Sequence, residues 1–240
     1  MKANFKSGLI YMALLSIIFF SGCNPDDIVE KKFEIGTVID LENNIYKTVK
    51  IGDQVWMQDD LIATKFRNGE NIKLISDENE WQNATFPAYT VGKTGLLYNF
   101  YAVKSSANIA PIGWHVASDA EWQKMESTLG MNQSELGKNK WRGVNVGDKL
   151  KEDYQIVPAT WTNFDNVWGT NDSGFKALAC GCRVLDGRFC EPSNREQGFW
   201  WTSTQTENEA WYRNLDYKRT EVFRYFAHQN YGFAIRCVKD

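Results

Sequence analysis

The chain has 240 residues, with 27 Lys and Arg against 30 Asp and Glu and a formal net charge of −3. No Lys/Arg run or basic patch points to a nucleic-acid partner, and low-complexity segments and tandem repeats are absent. Ten Trp, ten Tyr and fourteen Phe are many for this length, which suffices for one domain with a sizeable core.

Lys2 and Lys6 form a short basic start, and residues 9–20 are almost wholly apolar. That is the length of a signal-peptide core and falls short of a comfortable bilayer span. A short membrane anchor and an ordinary secreted protein with a free Cys23 are the alternatives. Ser21, Gly22 and Cys23 make a small-small-cysteine junction that resembles the lipobox of bacterial lipoproteins, with Phe20 where that pattern prefers leucine. The resemblance implies that residues 1–22 are removed, that the Cys23 sulfur carries diacylglycerol and that its new amino group is acylated. One acyl chain holds a protein only marginally, at about 0.8 kcal/mol per buried methylene, whereas two or three make a durable anchor. Asp26 and Asp27 resemble the acidic tag of Bacteroidetes-type lipoproteins, which implies the outer face of a bacterial outer membrane. Loss of Lys2 and Lys6 leaves 25 basic and 30 acidic residues, a charge of −5. Residues 23–35 read as a polar tether and 36–240 as the folded domain.

Along that domain, residues 36–57 (GTVIDLENNIYKTVKIGDQVWM) carry β-branched and aromatic residues, broken at Glu42-Asn43-Asn44 and Gly52-Asp53 as two hairpin turns would be. LLYNFYAV reads as an aromatic strand or a short helix. Ser118 and Glu121 form a capping box. Trp122, Met125 and Leu129 follow at helical spacing, and Gly130 is placed to end the helix. Asp59-Asp60 has the look of a solvated turn. Beyond Asn171 the segments CRVLDGRFC, FWWTST, AWYRNLDY, EVFRYFAH and GFAIRCV read as short strands. The fold class is α+β, with few helices and short antiparallel strands. Trp200 and Trp201 are neighbours, so in a strand one faces the core and the other is free to face outward.

Six stretches carry a resemblance to a family: GLLYNFYAV (95–103), GWHVASDAEW (113–122), NDSGFKAL (171–178), FWWTST (199–204), AWYRNL (210–215) and YGFAIRCVKD (231–240). In this order they resemble the Fibrobacter succinogenes major paralogous domain across essentially the whole of residues 36–240. The resemblance implies a C-type-lectin-like fold in an exported lipoprotein. It implies little chemistry, and a fold is not a function. YGFAIRC also looks like the last strand of formylglycine-generating-enzyme-type domains, but Cys180 and Cys182 lack the matching context for that copper chemistry. Family members often place a cysteine just before Pro-x-Gly-Trp-His, suited to bridging the last strand. Here that position is Ala110, which leaves Cys237 without its expected partner.

No catalytic constellation stands out. His115 and His228 are the only histidines, and no nucleophile elbow, zinc-binding helix motif or phosphate-cradling loop occurs. His115, beside Trp114, reads as a packed, hydrogen-bonded side chain. Trp168-Gly169-Thr170-Asn171-Asp172 and Glu191-Pro192-Ser193-Asn194 are imperfect echoes of a calcium-lectin site in reversed order, so neither metal nor cofactor is expected. Export places Cys180, Cys182, Cys190 and Cys237 in an oxidising compartment with three possible pairings. If Leu185, Asp186 and Gly187 form a three-residue hairpin loop, Cys182 lies opposite Cys190 and a disulfide follows. A two-residue loop would put Cys190 opposite Arg183 instead. Trp141, Trp161, Trp168 and Arg195, in loop-rich segments, are the candidate contact residues. The expected function is a non-catalytic surface module for glycan or an envelope protein, held to the membrane by lipid. The alternative is an exported hydrolase or oxidase whose site is assembled from scattered residues.

Overall fold

Both expected hairpin turns form. Strands β1 (Ile35–Ile39) and β2 (Ile45–Ile51) pair antiparallel around residues 40–44, where Asn43 takes a left-handed φ of 65°. β3 (Gln54–Met57) follows across Gly52-Asp53, with Gly52 at φ 62°, as the primed two-residue turns require. The computed structural model describes residues 33–155, 160–162, 164–165, 167–190 and 196–240. Cys23 and Arg195 lie outside these residues, as do the Glu191-Pro192-Ser193-Asn194 stretch and residues 1–32.

Next come β4 (Lys73–Leu74), helix α1 (Glu78–Gln82), β5 (Ala88–Val91), β6 (Leu96–Tyr98) and α2 (Phe100–Val103). LLYNFYAV is therefore strand and helix in turn. Asn99 makes the switch: its side-chain oxygen accepts the Ala102 N–H as a helix cap and the Ala88 N–H from the neighbouring strand. β7 (Trp114–Val116) leads into α3 (Asp119–Thr128), whose capping box is complete. Ser118 Oγ accepts the Glu121 N–H, and the Glu121 carboxylate accepts the Ser118 N–H at 2.8 Å. Gly130, at φ 104°, closes the helix while the Met131 N–H reaches back to the Glu126 carbonyl.

After α4 (Gln133–Leu136), β8 (Lys140–Arg142) and α5 (Val146–Leu150) come the long strands β9 (Gln197–Gln205), β10 (Glu209–Asp216) and β11 (Val222–His228), then β12 (Ala234–Ile235) and β13 (Cys237–Lys239). Three sheets result among the described residues, in the orders β1-β2-β3-β13-β7, β12-β9-β10-β11-β8 and β4-β5-β6. Most pairings are antiparallel; β12 with β9 and β4 with β5 are parallel. The α+β reading holds.

The second sheet is covered on both sides at β9, which corrects the expectation for the Trp200–Trp201 pair. Both indoles are fully buried, Trp200 beside Trp122 and Phe175 in one cluster, Trp201 beside Phe100 and Phe233 in the other. Helix α3 lies over the Trp200 face and brings charge into it. Asp119 and Glu126, seven residues apart and so on one helix face, meet three arginines from the sheet. Arg213 bonds Asp119 at 2.7 Å and Glu126 at 2.6 Å, Arg142 bonds Glu126 at 2.6 Å, and Arg224 bonds Asp119 at 2.8 Å. Burial pushes the Asp119 carboxyl up, but Arg224 and Arg213 override it and hold the pKa at about 2.

Asp59-Asp60 departs from the solvated-turn reading at its second member. Asp59 stays at the surface, accepting the Lys47 N–H. Asp60 is buried, accepting from the Arg236 guanidinium at 2.5 Å and the Trp200 indole N–H at 2.8 Å.

Candidate functional site

The face of the second sheet opposite α3 gathers aromatic rings for a simple reason of register. Tyr212 of β10 lies across from Trp201 of β9 and Tyr225 of β11, while Asn214 lies across from Phe199 and Phe223. Side chains of paired residues share a face, so Phe199, Tyr212, Phe223 and Tyr225 emerge together. Trp141 of β8, paired with Phe223, extends the row. Neighbouring ring centroids lie 5.0 Å apart for Trp141–Phe223, 6.1 Å for Phe223–Tyr212, 5.0 Å for Tyr212–Phe233 and 5.6 Å for Phe233–Tyr231. Part of this surface is a trough of about 530 Å³, lined by Phe199, Tyr212, Phe233, Tyr225 and Tyr231.

Three phenol groups converge there. Burial, with Tyr231 and Tyr225 beside it, pushes the Tyr212 hydroxyl up to about 12, so it stays a neutral donor and acceptor at any physiological pH. Glu209 and His228, cross-strand partners, close one end. No lysine or arginine lines the trough among the described residues. Flat ring faces beside neutral hydroxyls suit a ligand with alternating apolar faces and hydroxyl groups.

The opposite wall is the CRVLDGRFC hairpin, in the three-residue register. The Val184 N–H donates to Arg188 and the Cys190 N–H to Cys182, while Arg183 pairs with Phe189. Cys182 and Cys190 are joined by a disulfide, with Cα atoms 5.3 Å apart. The expected pairing is present, and the two-residue alternative is not. Cys180 and Cys237 are free and buried. Arg183 clamps this wall to the body. Wholly buried and stacked over Trp81 at 4.5 Å, it donates to the carbonyls of Ile75, Ser76, Asp77 and Gly187. Gly187, at φ 88°, packs so closely on Glu78 that any Cβ would collide with that backbone.

The candidate contact residues fall in different places. Trp141 is half-buried against Phe223 and continues the trough's aromatic row. Trp168 is exposed against Tyr154, and among the described residues no shared site joins it to Trp141. Trp161 is a correction: it is buried, its indole N–H donates to the Ala177 carbonyl, and it offers no contact surface. Of the calcium-lectin echo, Asn171 is committed to the Lys176 N–H. Among the described residues no group of three or more His, Cys, Asp or Glu side chains is placed to hold a metal ion. His115 bridges Glu121 at 2.8 Å and Asp240 at 2.7 Å, tying β7 to α3.

Sequence reasoning passed over Tyr212, Tyr225 and Tyr231. Period-2 alternation in AWYRNLDY and EVFRYFAH was the available signal, since it puts Tyr212 and Tyr225 on faces opposite the arginines at 213 and 224. Which face would stay open was not written in either strand alone. Residues 49–239 match the family model described as the Fibrobacter succinogenes major domain. No curated protein and no solved structure gives a match.

Proposed function

The chain belongs to the Fibrobacter succinogenes major domain family, and from that premise we propose that it is a cell-envelope module binding neutral polysaccharide in the aromatic trough. In this reading the domain has a C-type-lectin-like fold and is carried on a lipid anchor at Cys23 at the outer face of a bacterial outer membrane. The observation that carries the binding role is the trough itself: Phe199, Tyr212 and Phe233 in its lining, three tyrosine hydroxyls and a wall fixed by disulfide and Arg183. The wall is ordered before any ligand arrives, so little conformational freedom is lost on binding. With Glu209 as the trough's acid and no lysine or arginine lining it among the described residues, a neutral chain fits better than an anionic one.

The test is titration of the purified protein with neutral and uronic-acid polysaccharides, followed by calorimetry. Micromolar binding to a neutral chain is expected, and Tyr212→Ala should weaken it about tenfold, equivalent to about 1.4 kcal/mol. Equal binding by the wild type and Tyr212→Ala would dismiss the trough. Turnover of the polysaccharide that disappears in Glu209→Gln would replace a binding module with the exported enzyme.

A further inference from the structure

We infer that the tip of the β1–β2 hairpin and the adjoining loop at Ile112 form a membrane-contact patch that lies on the bilayer holding the Cys23 anchor. The inference rests on the lipid-anchored reading given above.

Ile39, Leu41, Ile45 and Ile112 are 57%, 60%, 66% and 82% exposed. They are neighbours: Ile39 and Ile45 are direct cross-strand partners, and Ile39, Leu41 and Ile112 line one depression of about 320 Å³. Clustered aliphatic side chains in water mark an interaction surface, where scattered ones do not.

The tip's own acids, Asp40 and Glu42, are half-buried, line the same depression and are engaged in hydrogen bonds. Asp40 accepts from the N–H groups of Glu42 and Asn44, the Asn44 amide and the Tyr46 hydroxyl. Glu42 accepts from the Thr64 N–H and hydroxyl and from the Lys65 N–H. Seven hydrogen bonds thus fix the tip and leave the aliphatic side chains as its outward feature. A preordered patch gives up little entropy on docking. Lys65 lines the same depression and Lys47 follows Ile45 by two residues on β2; both are exposed. Aliphatic groups flanked by two lysine stems suit the boundary between acyl chains and phosphate headgroups.

Chain length selects the lipid surface over other occupants. Ile35, the start of β1, stands twelve positions after Cys23, a reach of at most about 42 Å. A domain held so near the bilayer meets it at high effective concentration, so a patch of four side chains is enough. No such tether favours a second copy.

The experiment uses the mature lipidated protein in vesicles of phosphatidylethanolamine and phosphatidylglycerol. An environment-sensitive fluorophore is attached through Ile112→Cys or, as control, Asp186→Cys on the exposed trough hairpin. Mass spectrometry of the same preparation reads acylation of Cys23. Emission from position 112 should shift to the blue and be quenched by lipid-borne quenchers, and emission from 186 should not. Leu41→Ser with Ile45→Ser should cut the quenched fraction at position 112 about tenfold, with an unchanged melting profile. Equal emission at both positions with Cys23 acylated overturns the patch. A blue shift at 112 that grows with protein concentration in detergent solution, without vesicles, assigns the surface to a second copy and also overturns it. An unacylated Cys23 with the fluorophore shift intact would instead overturn the anchor and leave the patch standing.

Discussion

Glu126 is enclosed between Arg213 and Arg142, every side chain in the trio shielded from solvent. Removing its charge leaves the buried Arg142 guanidinium without a carboxylate and Arg213 with Asp119 alone, and breaking such a buried pair costs about 3–5 kcal/mol. Glu126→Gln should lower stability by that amount in denaturant titration, whereas Glu70→Gln, at an exposed position, should cost under about 0.5 kcal/mol. Equal midpoints for the two variants would deny the network its role. His115 makes part of the stability depend on pH. Burial pulls its pKa down, but hydrogen bonds to Asp240 and Glu121 more than offset that, and the net value is raised. A raised value means the folded state holds the proton more tightly. The stabilisation is complete below the unfolded value of 6.5 and fades as pH climbs through the folded one. The melting temperature should therefore fall as pH rises above 6.5 more steeply in wild type than in His115→Gln. Parallel profiles would count against the bridge.

At the scale of elements, the 182–190 hairpin is held twice, by its disulfide and by Arg183. A cross-link of sequence separation 8 restricts the unfolded chain by about 2.5 kcal/mol. Cys182→Ser with Cys190→Ser should lose about that much and raise amide exchange in the hairpin ahead of β9–β11. Exchange that rises uniformly through the second sheet would show the wall and the sheet to be one cooperative unit. Local chemistry explains why so much at this scale was legible beforehand. The capping box at Ser118, the turns at Asn43 and Gly52, and the Cys182–Cys190 register all depend on residues within ten positions of one another. The double burial of Trp200 and Trp201 does not, because it follows from α3 covering one face of β9 and α2 the other. The same holds for Asp60, whose partner is Arg236, and for Trp161, whose acceptor is the Ala177 carbonyl. Tyr212 and its neighbours were hidden likewise, since openness depends on what fails to cover a face.

For the whole molecule, the envelope reading and the trough are separable. Acyl modification of Cys23 should appear on metabolic labelling with a fatty-acid probe, and Cys23→Ala should take up none and leave the membrane fraction. Label retained by that variant would end the lipoprotein reading while leaving the polysaccharide test untouched.

The stretch 234–239 serves two sheets at once. Ala234 and Ile235 run parallel to Trp200 and Trp201, and three residues on, Val238 pairs with both Trp56 and His115. Neither five-stranded sheet is whole without it, and its partners lie up to 182 positions earlier in the chain. A chain threaded through a translocation channel from its leading end delivers this stretch after every other described strand. Both sheets must wait for it, so the segments already delivered have no complete fold to fall into ahead of time. Topology of this kind delays folding, and under the proposed lipoprotein reading, in which the chain crosses a membrane unfolded, that delay is a useful property.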